Sequence, residues 1–507
     1  MRTMMIRSAL SGLALVALVF STSCSNTLPP YPEALFVVDT DMAVPRFVDR
    51  LRVDTFTTDG TWVDSHEYTV LNGRDWPASF GVYSMDESKT TTLLVRLRAY
   101  TDLRLRDYRG ERFADALGNS PGPLPLPNAQ LPRLMVDGKD TTPKQEPEPT
   151  TTIDRLVEVV LEPGKAGAIN IVLRGDCVGT MAQLSAKGSY GPPVLTEART
   201  CVGAANQRVA LSPSPIGARS TAASVQGTWT PSTPCTTSGF GTVCVPGGAF
   251  FIGGSASVGW DAPSLPQRVV ALDPFRMDVN EVSVAQWRSA VANGLISPDE
   301  TPWPYAFAFP TKPDATFVGC TYSTKPLNRE DFPLNCVTFR AARAYCQSVG
   351  GDLPTEAQWE YAAAAVGRPT ESKYPWVSQV YPDCKQSVHS RGEGSLPGAS
   401  ACVPSGFGPQ PITTATAPGQ DVTPLGIMNL AGSMSEWTAD TVANYDDPCW
   451  AAKGPKNSSC VVEGHPHVAR GSYWGNEQAA LTDRLSSSNL GYYGSSLGFR
   501  CVYPGAQ

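Results

Sequence analysis

Twelve cysteines between residues 177 and 501 constrain this chain more than any other feature. They are Cys177, Cys201, Cys235, Cys244, Cys320, Cys336, Cys346, Cys384, Cys402, Cys449, Cys460 and Cys501, an even set without one Cys-x-x-Cys pair. In an oxidising compartment such a set is a disulfide framework; in a reducing one it is a collection of thiols. The missing Cys-x-x-Cys spacing argues against a zinc ribbon or a thioredoxin-like redox motif. Six of the eleven gaps run from 9 to 24 residues, which suits local loop staples. Each staple contributes about 3 kcal/mol when unstrained.

The N-terminus decides the compartment. Arg2 and Arg7 precede an apolar run from Ala9 to Phe20, and small residues then lead to Ser23-Cys24. This is the layout of an export signal, and the run is too short to cross a bilayer. A small residue directly before a cysteine resembles the bacterial lipoprotein signal, in which Cys24 becomes the lipidated first residue. Ser21 stands where an aliphatic residue is commoner, and an ordinary secretory peptide is the plainer alternative. The expected mature chain is anchored by lipid at a bacterial cell envelope, its membrane partner. Ser25 is not the aspartate that holds many lipoproteins at the inner membrane, so the outer membrane is the expected location.

A net charge of −7 excludes a nucleic-acid backbone as partner, since no basic stripe offsets it. Gly and Pro at 45 each favour strands, turns and long loops over helical bundles. At 507 residues the chain has room for two or three domains.

Residues 1–24 read as the signal and 25–34 as a polar tether. From 35 to 203 the pattern is strand-like. Leu51 to Phe56 alternates, Asp59-Gly60 supplies a turn, and Trp62-Val63 begins the return. Leu93 to Tyr100, Leu156 to Leu161 and Ile169 to Leu173 follow. Short strands with turn signals predict an all-β sandwich of immunoglobulin-like type. Residues 119–152, rich in Pro and polar residues, read as a long loop. The Ser/Thr/Pro-rich stretch 204–234 reads as a linker. A second domain, 235–507, holds most of the eleven Trp. The fold class expected is therefore α+β, a sandwich followed by a mixed domain.

Three helices are legible in that second domain. Ser283 with Gln286 forms a capping box, and Asn293-Gly294 ends the helix. Phe339, Ala342, Tyr345, Cys346 and Val349 fall at helical spacing before Gly350. Thr355 with Gln358 forms a second capping box, followed by Trp359, Ala362, Ala363 and Val366 on one apolar face.

Several short runs then follow one another in order. They are Val245 to Phe250 with Ile252-Gly253, Pro274 to Asp278, and Asn280 to Ser283 with Gln286-Trp287. Asn335 to Phe339, Ala344 to Cys346, Leu353 to Ala362, Gly426 to Trp437, Arg470 to Tyr473 and Leu497 to Arg500 complete the set. In this order, over residues 242–503, the second domain is similar to the formylglycine-generating enzyme, or sulfatase-modifying factor, family. The resemblance implies a variant of the C-type lectin fold, with Trp359 and Tyr361 as packing residues. It also implies a disulfide between Cys346 and Cys501. Sequence order then suggests 177–201, 235–244, 320–336, 384–402 and 449–460, although connectivity is not deducible from sequence alone.

Catalysts of that family oxidise a client cysteine with oxygen and copper held by two thiolates, soft ligands that select a soft ion. The matching positions here are Gly475 and Ala480, or Asn476 and Leu481 with a one-residue shift. None is a thiol, so copper is not expected. His465 and His467, at alternate positions, would point the same way on a strand and offer two imidazoles; exposed loop histidines are the plainer reading. Family calcium implies Ser433, Glu436 and Asp440 as candidate ligands, with a turn-capping role for Glu436 as the alternative. The family's substrate groove implies Ser472, Tyr473, Trp474, Asn476, Arg484, Tyr492 and Tyr493 as candidate ligand-binding residues, against ordinary rim packing. Arg500 is expected to be structural.

The function expected is a non-catalytic envelope lipoprotein that binds a peptide, a glycan or a partner protein. The alternative is an enzyme, a divergent oxidase or maturation factor acting on an exported client.

Overall fold

A computed structural model of the chain describes residues 30–505 except 59–61, 102–134, 137–138, 141–149, 185–196, 204–206, 236–238, 240, 254–266, 297–319, 324–325, 327, 369–370, 377–382, 392–401, 403–407, 415–418, 477–483 and 488–493. Cys24, the Asp59-Gly60 turn, Ala480, Leu481, Tyr492 and Tyr493 lie outside the described residues, as does most of the loop expected at 119–152.

The alternating runs near the N-terminus form strands. These are β1 (Glu33–Thr40), β2 (Arg50–Thr57), β3 (Trp62–Thr69), β4 (Ala78–Tyr83) and β5 (Thr91–Tyr100). The two-residue pieces β6 (Met135–Val136) and β7 (Lys139–Asp140) pair with each other, and β8 (Ile153–Leu161) and β9 (Ala166–Leu173) follow. One sheet has the order β4-β1-β9, with β1 parallel to β9; the other, antiparallel, runs β3-β2-β5-β8. Phe36 and Val38 of β1, Leu51 and Val53 of β2, and Ile169 and Ile171 of β9 belong to one apolar core shared by the two sheets. Period-two burial accounts for this, because successive side chains of a strand face opposite sides. On the outer face of β2 and β5, Asp54 is gripped by Arg52 at 2.8 Å and Arg96 at 3.0 Å. Beside it, Arg98 pairs with Asp154 at 3.0 Å.

The stretch 204–234 is not a free spacer. Its strand β11 (Arg208–Ala210) pairs with β10 (Arg199–Cys201). Ser214 N donates to Glu158 O, and Gly217 exchanges two backbone hydrogen bonds with Ala168. Those partners sit on β8 and β9, the edge strands of the two sheets. Trp229 ends the stretch with its ring in the sandwich core and its Nε1 donating to Asp176 at 2.8 Å. An extended Ser/Pro-rich backbone here caps sheet edges that would otherwise present unpaired groups.

The second domain is mixed, sheet-rich and poor in helix. Strands β12 (Thr242–Val245), β15 (Phe275–Asp278) and β20 (Val502–Pro504) form one sheet, and β13 (Gly248–Ile252) and β14 (Arg268–Leu272) form a hairpin. A four-stranded sheet has the order β18 (Arg484–Ser487), β17 (His467–Arg470), β16 (Ser435–Thr441), β19 (Leu497–Gly498). The expected helices are α1 (Val284–Ala292), α2 (Phe339–Ser348) and α3 (Glu356–Glu360), the last widening into a π turn over Tyr361–Ala365. Ser283 and Thr355 cap α1 and α3 through the boxes read from sequence, and Thr338 caps α2. A short α4 (Pro448–Ala452) places Trp450 in the core. Disulfides join 177–201, 235–244, 320–336, 346–501, 384–402 and 449–460.

The β13–β14 hairpin joins the two domains. Ala249, Phe251, Val269 and Ala271 enter the sandwich core, while Phe250, Ile252, Val270 and Leu272 enter the second domain's core. Phe47 of the sandwich meets Phe251 at 5.1 Å between ring centroids. Thr150 also donates its hydroxyl to Gln267 O. Among the described residues no helix is long and apolar enough to cross a membrane.

Candidate functional site

The site rests on α3. Its inward side chains are Glu356, Trp359 and Glu360, all buried. Arg470 of β17 donates to Glu356 at 3.1 Å and also to Glu360, and Tyr445 OH donates to Glu356 at 2.8 Å. Trp359 Nε1 donates to Glu436 Oε2 at 2.8 Å, and Arg500 clamps the same carboxylate. Arg500 spends its remaining donors on the carbonyls of Asp278, Val279 and Met428. Charges this deep are held only when paired and hydrogen-bonded. The helix therefore locks β16 and β17, whose ends carry the turns 426–434 and 471–476.

The first turn wraps a carboxylate. Asp421 accepts from the backbone N–H of Leu430, Ala431 and Gly432. Burial nevertheless pushes its carboxyl up to about 7, against the pull of those hydrogen bonds. Asn429 and Ser433 adopt left-handed backbone, φ 61° and 69°. Burial likewise raises Glu281, with the Arg500 charge opposing it and the Ser433 hydroxyl beside it. Oε1 of Glu281 and Oδ1 of Asn429 accept no hydrogen bond among the described residues.

The second turn is laced to the first. Trp474 N donates to Ser433 O at 2.8 Å, and Arg391 N donates to Trp474 O at 2.8 Å. Ser390 N donates to Asn476 O at 2.7 Å, and Ser433 N donates to Val388 O at 2.9 Å. Val388, Met434 and Trp474 form a small apolar cluster with Tyr473 packed on it. Ser472 is fully buried, and Trp474 is buried with its Nε1 donating to Ser495 O at 2.9 Å. Tyr473 and Asn476 are half-buried and form the partly exposed part of this turn. Arg484 lies on β18, opposite Arg470 in the backbone register.

The calcium expectation changes. The calcium candidates do not form a cage, because the oxygens of Glu436 are taken by Arg500 and Trp359. Those of Asp440 accept from Glu356 N and Cys460 N. Ser433 is left with a hydroxyl where six to eight oxygens are needed, so this set does not fit calcium. The histidines do not converge either. His467 is buried and stacked on Phe339 at 3.4 Å, whereas His465 is exposed before the strand begins. Copper does not fit. Gly475 offers no donor, and all twelve described cysteines are spent in disulfides. That includes Cys449 and Cys460, which approach Asp447 as a metal-like cluster yet are bonded to each other.

Sequence reasoning missed His389, 3 % exposed, whose Nδ1 lies 3.2 Å from Ser387 Oγ. Burial lowers its pKa, keeping the ring neutral, and Ser387 is as deeply placed. It also missed the buried carboxylates of Glu281 beside Arg500 and Glu356 beside Arg470. The signal was present as charges inside apolar runs, in Asn280-Glu281-Val282 and Thr355-Glu356-Ala357.

Residues 229–504 match the family described as the sulfatase-modifying factor enzyme 1-like domain. The chain is 27% identical over 301 residues to the formylglycine-generating enzyme of Bos taurus, covering 51% of this chain and 74% of that protein. It is 26% identical over 314 residues to the formylglycine-generating enzyme of Thermomonospora curvata, covering 52% and 93%. It is also 27% identical over 283 residues to the inactive C-alpha-formylglycine-generating enzyme 2 of Bos taurus, covering 51% and 87%.

Proposed function

The chain belongs to the family of sulfatase-modifying factor enzyme 1-like domains, and from that premise we propose that its family domain binds a ligand rather than oxidising one. One observation carries this reading: the positions matching the family's thiolate pair are Gly475 and Ala480, or Asn476 and Leu481 with a one-residue shift, none of them a thiol, and every described cysteine is already in a disulfide. Copper(I) needs soft donors, and none of these positions supplies one. The inactive relative of Bos taurus supports the idea that this framework persists without the chemistry. A fold does not by itself carry a function.

The ligand surface is built on Tyr473 and Asn476, held from beneath by Trp474 and the Ser433 turn. Its occupant is a peptide, a glycan or a partner protein at the cell envelope. Arg484, Tyr492 and Tyr493 are the further ligand-binding candidates of this reading. The sandwich is of immunoglobulin-like type and acts as a stalk; its first strand beside its last, in one of two sheets over a shared core, supports that. Cys24 carries the lipid anchor.

Two measurements on the full chain test the proposal. Oxygen uptake with a cysteine-containing sulfatase-motif peptide and added copper should not exceed that of a boiled sample; turnover above it overturns the reading in favour of an oxidase. Glycan and peptide arrays should return a ligand whose binding falls in Tyr473→Ala. Silence on both arrays refutes a peptide or glycan site.

A further inference from the structure

The sandwich has two unlike ends. β1 starts at Glu33, opposite Tyr83 on one side and Ala166 on the other, and Glu33 N donates to Lys165 O. β5 starts at the same end, with Thr91 opposite Leu161 and its hydroxyl 2.9 Å from Ser84 Oγ. The loop 84–90 and the turn 162–165 therefore close this end. The second domain holds the other. Thr40, the last residue of β1, pairs with Leu173, and the connections beyond that rung carry Phe47 and Thr150, which meet Phe251 and Gln267. The eight residues of β1, at about 3.3 Å each, put about 26 Å between the two ends.

The free end is apolar. Tyr31 is 59% exposed, Val63 49%, Tyr83 58% and Met85 87%. Ser84 N donates to Pro32 O at 3.0 Å, so Tyr31 and Met85 flank one rung of the β1–β4 pair, and Tyr83 stands opposite Glu33 on the next. Val63 joins them from β3, beside the rungs Phe56–Trp62 and Thr57–Leu93. The lysines of this end are spent on near neighbours, Lys89 on Asp86 at 3.0 Å and Lys165 on Glu162 at 2.6 Å. Exposed tyrosines grouped with aliphatic side chains suit a membrane interface, where an apolar ring and a polar tip are both satisfied.

The tether fixes what can cover these side chains. Cys24 stands seven residues before Tyr31. Even fully extended, that length holds Tyr31 within about 25 Å of the acylated residue. We infer that the end carrying Tyr31, Val63, Tyr83 and Met85 rests on the bilayer that holds the Cys24 lipid. The four side chains lie at the boundary of headgroups and acyl chains, and the second domain is carried at the far end, away from the surface. The inference rests on the Cys24 anchor proposed above and is independent of which ligand the family domain binds.

The test uses the mature full chain isolated from its envelope. Mass spectrometry first reads whether Cys24 is acylated; a bare Cys24 ends the anchor reading and this inference with it. The acylated chain then enters phosphatidylethanolamine–phosphatidylcholine vesicles, with and without nitroxide-labelled lipid. Met85→Cys and Leu71→Cys each add one reactive thiol for an environment-sensitive fluorophore, because the twelve described cysteines are already bonded. Leu71 is 48% exposed and follows β3 at the opposite end, so it is the matched control. The label at 85 should shift to the blue in vesicles and be quenched by the nitroxide lipid, while the label at 71 should emit as it does in water. Tyr83→Cys should repeat the result at 85. An equal response at 85 and 71, or none at 85 and 83, overturns the inference while leaving the anchor in place.

Discussion

Trp359 Nε1 donates to Glu436 Oε2 at 2.8 Å, across 77 residues of sequence, and Arg500 holds the other side of that carboxylate. The indole satisfies one oxygen while the guanidinium supplies the charge. Both are needed, since a charge this deep is held only when it is paired and its oxygens are hydrogen-bonded.

Removing the cation should expose how much depends on it. Arg500→Met leaves Glu436 charged and unpaired and strands three backbone carbonyls. A loss of about 3–5 kcal/mol is expected in denaturant unfolding. The double variant Arg500→Met/Glu436→Gln should recover part of it. A loss below about 1 kcal/mol in the single variant would show that Glu436 is solvated.

Glu281 gives a pH dependence with a definite sign. Burial raises its folded-state pKa, so its contribution is present below the unfolded carboxylate range and lost as pH rises through the folded value. Asp278, raised to about 6, and Asp421, raised to about 7, act in the same direction. Stability from these groups should decline between about pH 4 and pH 7. Glu281→Gln should match the parent at pH 5 and exceed it at pH 8 by about 1–3 kcal/mol, the scale of an unsatisfied buried group. Tm at the two pH values is the measurement, and a variant weaker at pH 8 contradicts the assignment.

The bridge Cys346–Cys501 closes 155 residues. Loop entropy then assigns it about 5 kcal/mol. Cys346→Ser should lower the unfolding midpoint by the corresponding amount, more than loss of Cys235–Cys244, which closes only 9. Equal shifts would argue that native strain, not loop length, governs the two.

Phe251→Ala removes a ring from the sandwich core while the residue itself belongs to the second domain. The expected loss is about 3–5 kcal/mol. Intrinsic fluorescence should report one transition for both domains in the parent. Two separate transitions in the parent would mean that the domains unfold independently.

The helices were legible because caps are local: Ser283 and Thr355 each meet a partner three residues away. Disulfides between near neighbours were legible for the same reason, and the long one came with the family resemblance. What sequence hid depends on distance. Glu436 and Asp440 are good calcium ligands in isolation, but Arg500 and Trp359 reach the first, and two backbone N–H groups reach the second. The stretch 204–234 has linker composition, and only Trp229 hinted that it packs. The runs Gly248–Ile252 and Arg268–Leu272 form strands that are buried on both faces. Neither run could say that its second face belongs to another domain.

That hairpin makes the boundary near residue 235 a poor place to cut. Severed there, the C-terminal piece would carry Ala249, Phe251, Val269 and Ala271 into water as a ready adhesive strip. Swapping in a different stalk would demand a new surface matched to those four side chains, so the two modules must change together.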